Sequence, residues 1–173
     1  MPNTGFLALA EQRYSVRKFA TKQVEQVALE RILRAGQVAP TACNNQPQMT
    51  FVLRSPQAME KLRRCTSCHF DAPMALVVCY DQDQSWKRPF DGQDSGLVDA
   101  SIVTTHMMLE AYAQGIGSTW VMYFDPAAVR KELELPDNLI PAAILPMGYP
   151  ADDVQANPKH AQNKPMDAIV KYL

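Results

Sequence analysis

The sequence predicts an α+β fold in which helices flank a mixed central β-sheet. Amphipathic helical stretches alternate with short apolar runs, those runs are rich in Val, and no repeat or linker interrupts the order. A length of 173 residues with 47% hydrophobic content suffices for one domain, residues 1–173, with a sizeable core.

Taken in order, residues 24–38 place Val27, Leu29, Ile32, Leu33 and Gly36 near helical spacing among Glu25, Glu30, Arg31 and Arg34, and Ala39-Pro40 ends that helix. Residues 49–53, MTFVL, form a short strand. A helix over 56–64 follows, because Met59 and Leu62 stand three apart among charges. The Val-rich run MALVVCY over 74–80 is a buried strand. Residues 99–114 are helical in length and apolar around most of the circumference. Such a helix needs cover on nearly all sides, which a domain this small supplies only with a partner subunit. A strand over 117–123 comes next, then a helix over 126–133 with Asp125 as N-cap and Pro126 at its first position. The last strand covers 142–147. The polar tail over 152–173 either wanders or reaches another chain.

Charge and composition exclude several function classes. Lys+Arg 17 against Asp+Glu 18 leaves a net charge of -1, without the basic footprint of a nucleic-acid binder. No run approaches ~18 uninterrupted apolar residues, so no membrane span is expected. The start MPNTGFLALAEQRYS lacks a charged region leading into an apolar core, so a secretion signal is not expected and a cytoplasmic location is the simplest reading.

The run Cys65-Thr66-Ser67-Cys68-His69 has the C-x-x-C-H pattern of haem attachment, and C-x-x-C also occurs in redox and zinc sites. Haem attachment calls for export, and zinc needs two further ligands that no second Cys/His pair provides. A redox dithiol stays open beside the plainer reading of thiols near a pocket or in a loop.

Two clusters carry candidate chemistry. In an extended stretch Arg13, Ser15 and Arg17 point the same way, offering two guanidinium groups and a hydroxyl suited to a phosphate. A solvated basic edge has the same pattern. After the first long helix, residues 39–47 read APTACNNQP, small residues that admit a ring close to the backbone beside carboxamides that donate and accept. Turn chemistry alone also selects such residues.

Together, R-Y-S-x-R-x-F, APTACNNQP, VDASIVTTHMMLEAYAQGIGSTWV and ILPMGYPA, in this order, resemble the nitroreductase-like family of FMN-dependent oxidoreductases over residues 7–170. The resemblance implies an interlocked homodimer with two FMN sites at its interface. It puts Arg13, Tyr14, Ser15 and Arg17 on the FMN phosphate, ribityl chain and ring edge, with Pro40, Thr41, Ala42 and Asn44 of the other subunit against the ring. Met122 and Tyr123 fall near the flavin N5. The places that usually give polar flavin contacts fall on Cys65 and Cys68, and Lys164, aided by Lys159 or His160, stands where the family often has an Arg. Gln48 replaces the usual aromatic after the Gln-Pro pair.

The activity so implied is electron transfer from NADH or NADPH through FMN to nitroaromatics, quinones or similar planar acceptors in a ping-pong cycle, with no catalytic side chain required. An FMN-binding module with little turnover is the alternative. No G-x-G-x-x-G fingerprint occurs, so the nicotinamide would bind transiently over the flavin.

Overall fold

β-strand Met74–Asp81 is apolar at nearly every position because both of its faces are covered. In the computed structural model, which describes residues 5–173, this strand is β2 in a four-stranded sheet. Its side chains Met74, Leu76 and Val78 pack under helices α2 (Gln26–Gln37) and α4 (Gly96–Ala113). Ala75, Val77 and Cys79 point the other way, into a second core shared with α3 (Pro56–Cys65) and α5 (Pro126–Glu132). The alternation of one strand thus sorts four helices into two layers.

The strand order is β1-β2-β4-β3, with β1 Gln48–Leu53, β3 Gly117–Ser118 and β4 Leu139–Gly148. The α+β architecture matches expectation, but the central sheet, expected to be mixed, is antiparallel throughout its four strands. β2 and β3 run the same way, but β4 inserts between them, so every neighbouring pair of strands is antiparallel. Among the described residues, parallel pairing is confined to the bridge between Ser15 and Ser118.

Two boundaries and one added helix differ from expectation for identifiable reasons. The strand expected over 117–123 is only two residues long. Thr119 donates to the Pro146 carbonyl at 3.2 Å, but Pro146 has no N–H to return the bond. Pairing resumes where Val121 and Ile144 exchange bonds of 2.9 and 3.1 Å. Helix α4 starts three residues before the expected 99, where the Asp94 carboxylate accepts from the Gly96 amide at 2.6 Å. Helix α1 (Phe6–Gln12), which the sequence reading lacked, has no buried residue and so leaves no apolar period to detect. No described helix is long and apolar enough to cross a membrane.

Helices α2 and α4 pack tightly because Gly36 lies at their crossing, where an added Cβ would stand 2.8 Å from Met107 Cγ. The opposite side of α4 is not covered. Leu97 and Val98 are exposed, and with Ser101, Ile102, Thr105 and His106 they line an open apolar groove.

Candidate functional site

The segment after α1 is extended from Arg13 onward and is tied to β3. Val16 donates to the Ser118 carbonyl at 3.0 Å, and the Thr119 hydroxyl donates to the Val16 carbonyl at 2.6 Å. Val16 is 1% exposed and rests against Gly117, where a Cβ would come within 2.5 Å of its Cγ2. With Val16 pointing inward, its neighbours Ser15 and Arg17 face outward on one side.

Ser15 and Arg17 line a cleft of about 550 Å³ with Tyr14, Asn157, Lys159 and His160. Among the described residues no carboxylate lines it. His160 is fixed by a 2.8 Å contact from Nε2 to the Glu11 carbonyl, and it meets the Tyr14 ring edge-on with centroids 6.5 Å apart. Arg13 lies just beyond, in an adjoining cleft of about 520 Å³ whose wall is again His160. The structure therefore brings Ser15 and Arg17 together as their alternation implies, but sets Arg13, expected on the same side, one step aside. Lys159 and His160 complete the basic lining, whereas Lys164 is exposed and lines neither cleft.

The loop after α2 is held at both ends by the core. Ala39 is buried at one end, and the Pro47 carbonyl accepts from the Asp81 amide at 2.8 Å at the other. Between them Cys43, Asn44 and Gln46 adopt φ of 51°, 54° and 50°, the left-handed region that non-glycine residues seldom occupy. Thr41 Oγ1 accepts from the Gln46 amide at 3.0 Å, and Ala42 donates its N–H to Asp99 Oδ1 at 2.8 Å. Pro40 and Asn44 are exposed, while Thr41 and Ala42 are half-buried.

A third cleft, about 460 Å³, brings Cys65 together with Met122 and Tyr123. Thr66 builds it: its Oγ1 donates to the Tyr123 carbonyl and accepts from the Cys68 amide, and Asp125 N–H donates to the Cys65 carbonyl at 2.9 Å. The Cys65 thiol donates to the Lys61 carbonyl at 3.2 Å, and burial pushes its pKa up. Cys68 packs half-buried against the α3/α5 core. All four cysteines are free, and no group of three metal-ligating side chains converges among the described residues.

Thr66 and Asp99 also shape these sites. Thr66 carries no pattern of its own, but Asp99 did leave a signal, as a lone acid among Leu97, Val98 and Ala100 in an apolar helix.

The residues matched by the family model described as the nitroreductase family are 10–73 and 66–149, which include the Arg13–Arg17 segment, the loop and the β3 connection. The chain belongs to the nitroreductase family. Among solved structures, a nitroreductase family protein of Clostridium difficile 630 is 42% identical, with a TM-score of 0.92 over 97% of this chain and 98% of that one. A curated relative from Thermus thermophilus, named NADH dehydrogenase, is 30% identical over 94% of this chain and 93% of its own. An FMN-dependent nitroreductase of Clostridium difficile R20291 shares the fold at a TM-score of 0.81 and 24% identity, over 96% of this chain and 98% of that one. This nitroreductase family member is accordingly an oxidoreductase.

Proposed function

We propose that this nitroreductase is an FMN-dependent NAD(P)H oxidoreductase, one FMN-binding domain per chain, acting as a homodimer on nitroaromatic, quinone or similar planar acceptors in a ping-pong cycle. The observation that carries the reading is the cleft of Ser15, Arg17, Lys159 and His160, cationic and free of lining carboxylates, on a nitroreductase fold. That donor set suits a phosphate monoester, because guanidinium and ammonium groups supply charge and the hydroxyl fixes orientation. The residues present therefore fit the FMN phosphate, with Arg13 and Tyr14 beside it.

Bound FMN would supply the redox chemistry, taking up a hydride from NADH or NADPH and delivering electrons to the acceptor. The protein's part is to bind and orient. Met122 and Tyr123, held by Thr66, would present backbone to the ring. The Cys65–Cys68 segment would close that side, with Cys65 acting as packing rather than as a redox group, since its thiol is buried and its pKa raised. A guanidinium near the ring edge would stabilise the negative charge that reduction adds.

Helix α4 supports the dimer. The loop of Pro40, Thr41, Ala42 and Asn44 is bonded to Asp99 in its first turn, while Tyr14 lines a cavity with Tyr112 and Ala113 in its last. The rise along α4 from Asp99 to Tyr112 and Ala113, at ~1.5 Å per residue, puts these groups about 20 Å apart in one subunit. A second subunit, packed on the open groove of α4, would bring its loop to the first subunit's cleft.

The test is the absorbance of purified protein before and after anaerobic addition of NADH or NADPH, followed by turnover with a quinone and a nitroaromatic. Flavin bands that bleach with reductant and return with acceptor are expected. Arg17→Ala removes a charge-assisted contact worth about 1.5–3 kcal/mol and should weaken FMN binding roughly 10- to 100-fold. Full FMN occupancy in both Arg13→Ala and Arg17→Ala would show that the phosphate lies elsewhere, and bands that do not bleach would favour the low-turnover binding module.

A further inference from the structure

Asp99 is a carboxylate 2% exposed, on the first turn of α4. Burying a charge is costly unless its oxygens find donors. Both do: Oδ1 accepts from the Ala42 amide at 2.8 Å, and Oδ2 accepts from the Ser95 hydroxyl at 2.7 Å. An acid serving only its own helix terminus would spend its oxygens on local N–H groups. Here one oxygen reaches a partner 57 residues back in sequence.

That partner sits in the strained loop. Cys43, Asn44 and Gln46 have positive φ, a state costing about 1–3 kcal/mol per residue when nothing compensates. Two side chains fasten the loop between its buried ends: Thr41 across its base to Gln46, and Asp99 from below to Ala42. Turning the Ala42 N–H inward fixes which groups the loop shows to the outside.

Resting on the FMN reading above, we propose that Asp99 is the positioning residue of this loop, holding the Thr41–Asn44 surface in the shape that packs on the flavin ring of the partner subunit's site. Asp99 touches no reacting atom. Its effect travels through the Ala42 amide alone, with Ser95 keeping the carboxylate in its rotamer.

Three variants of the holoenzyme test this. Asp99→Ala removes both bonds and should weaken FMN retention roughly tenfold, displacing the visible flavin band while the dimer persists. Asp99→Asn is the rescue: its amide oxygen still accepts from Ala42, and the Ser95 hydroxyl can accept from its NH₂. Its flavin spectrum and FMN retention should stay close to wild type. Ser95→Ala frees the carboxylate to rotate and should move the band in the same direction as Asp99→Ala by a smaller amount. In flavin-free protein, amide exchange at Ala42 should speed up in Asp99→Ala and not in Asp99→Asn.

A folded Asp99→Ala with unchanged band and FMN retention overturns the proposal. If Asp99→Ala does not fold, an unchanged band and FMN retention in Ser95→Ala do the same. Equal losses in Asp99→Asn and Asp99→Ala also overturn it, since they would assign the effect to charge rather than to the loop's shape. Wild-type protein that takes up no FMN sinks the cofactor reading, and the Asp99 role with it. Wild type that binds FMN beside indifferent variants sinks the Asp99 role alone.

Discussion

Cys79 lies 0% exposed in the α3/α5 core, and burial pushes its thiol from the ordinary 9.0 up to about 12. Its chemistry follows from that placement rather than from its residue type. In the unfolded chain the thiol ionises near its ordinary value, while in the folded protein it stays protonated until about 12. The folded pKa is thus raised, so the contribution to stability is complete below 9.0 and is lost as pH rises towards about 12. Denaturant midpoints should fall across that alkaline window, and Cys79→Ala should flatten the fall; an identical alkaline slope in the variant would exclude Cys79 as the source. Below pH 9 a thiol reagent should reach Cys79 only on unfolding.

Elements differ in how much of their place could be read from the sequence. β2 was legible because burial on both faces demands an unbroken apolar run, and α5 because Asp125 and Pro126 mark its start, the Asp125 carboxylate accepting from the Ala127 amide at 2.9 Å. The shortness of β3 was not, since it depends on which strand stands opposite and on Pro146 falling there. The same distinction holds within the candidate site. Ser15 and Arg17 share a face as their alternation implies, but their clustering with Lys159 and His160 depends on how the tail folds back onto Glu11, which no local pattern encodes. Cys65 and Met122 share a cleft because Thr66 and Asp125 staple two distant loops together. The β3 element also carries a direct test, since Gly117 supports Val16 and Val16 aims Ser15 and Arg17. Gly117→Ala puts a methyl 2.5 Å from Val16 Cγ2, an overpacking cost of about 1–3 kcal/mol. The expected result is a lower Tm together with weaker FMN binding than Tm alone explains, because the displaced segment carries Ser15 and Arg17, the proposed phosphate ligands. A variant with lowered Tm but unaltered FMN affinity at 25 °C would disconnect Val16 from the cleft.

At the scale of the whole molecule, the arrangement turns on α4, with one face in the α2 core and Leu97 and Val98 open to solvent on the other. The exposed tail residues Met166, Ile169 and Tyr172 add further apolar surface that one subunit does not cover. If a second copy packs there, each flavin site draws its phosphate ligands from one subunit and its ring-facing loop from the other, and a mixing experiment follows from two-fold symmetry. Arg17→Ala damages the cleft, and Ala42→Leu obstructs the ring where a small residue admits it. Each homodimer then carries two damaged sites. In a mixed dimer the intact cleft of the Ala42→Leu subunit meets the intact loop of the Arg17→Ala subunit, so one site is whole and the other doubly damaged. Co-refolding equal amounts with random pairing makes half the dimers mixed, so about a quarter of all sites should regain FMN and activity. Recovery near that fraction requires composite sites. With both clusters serving the same site within one subunit, mixing would restore nothing, and the reading of α4 as the axis of an FMN-binding dimer would fail with it.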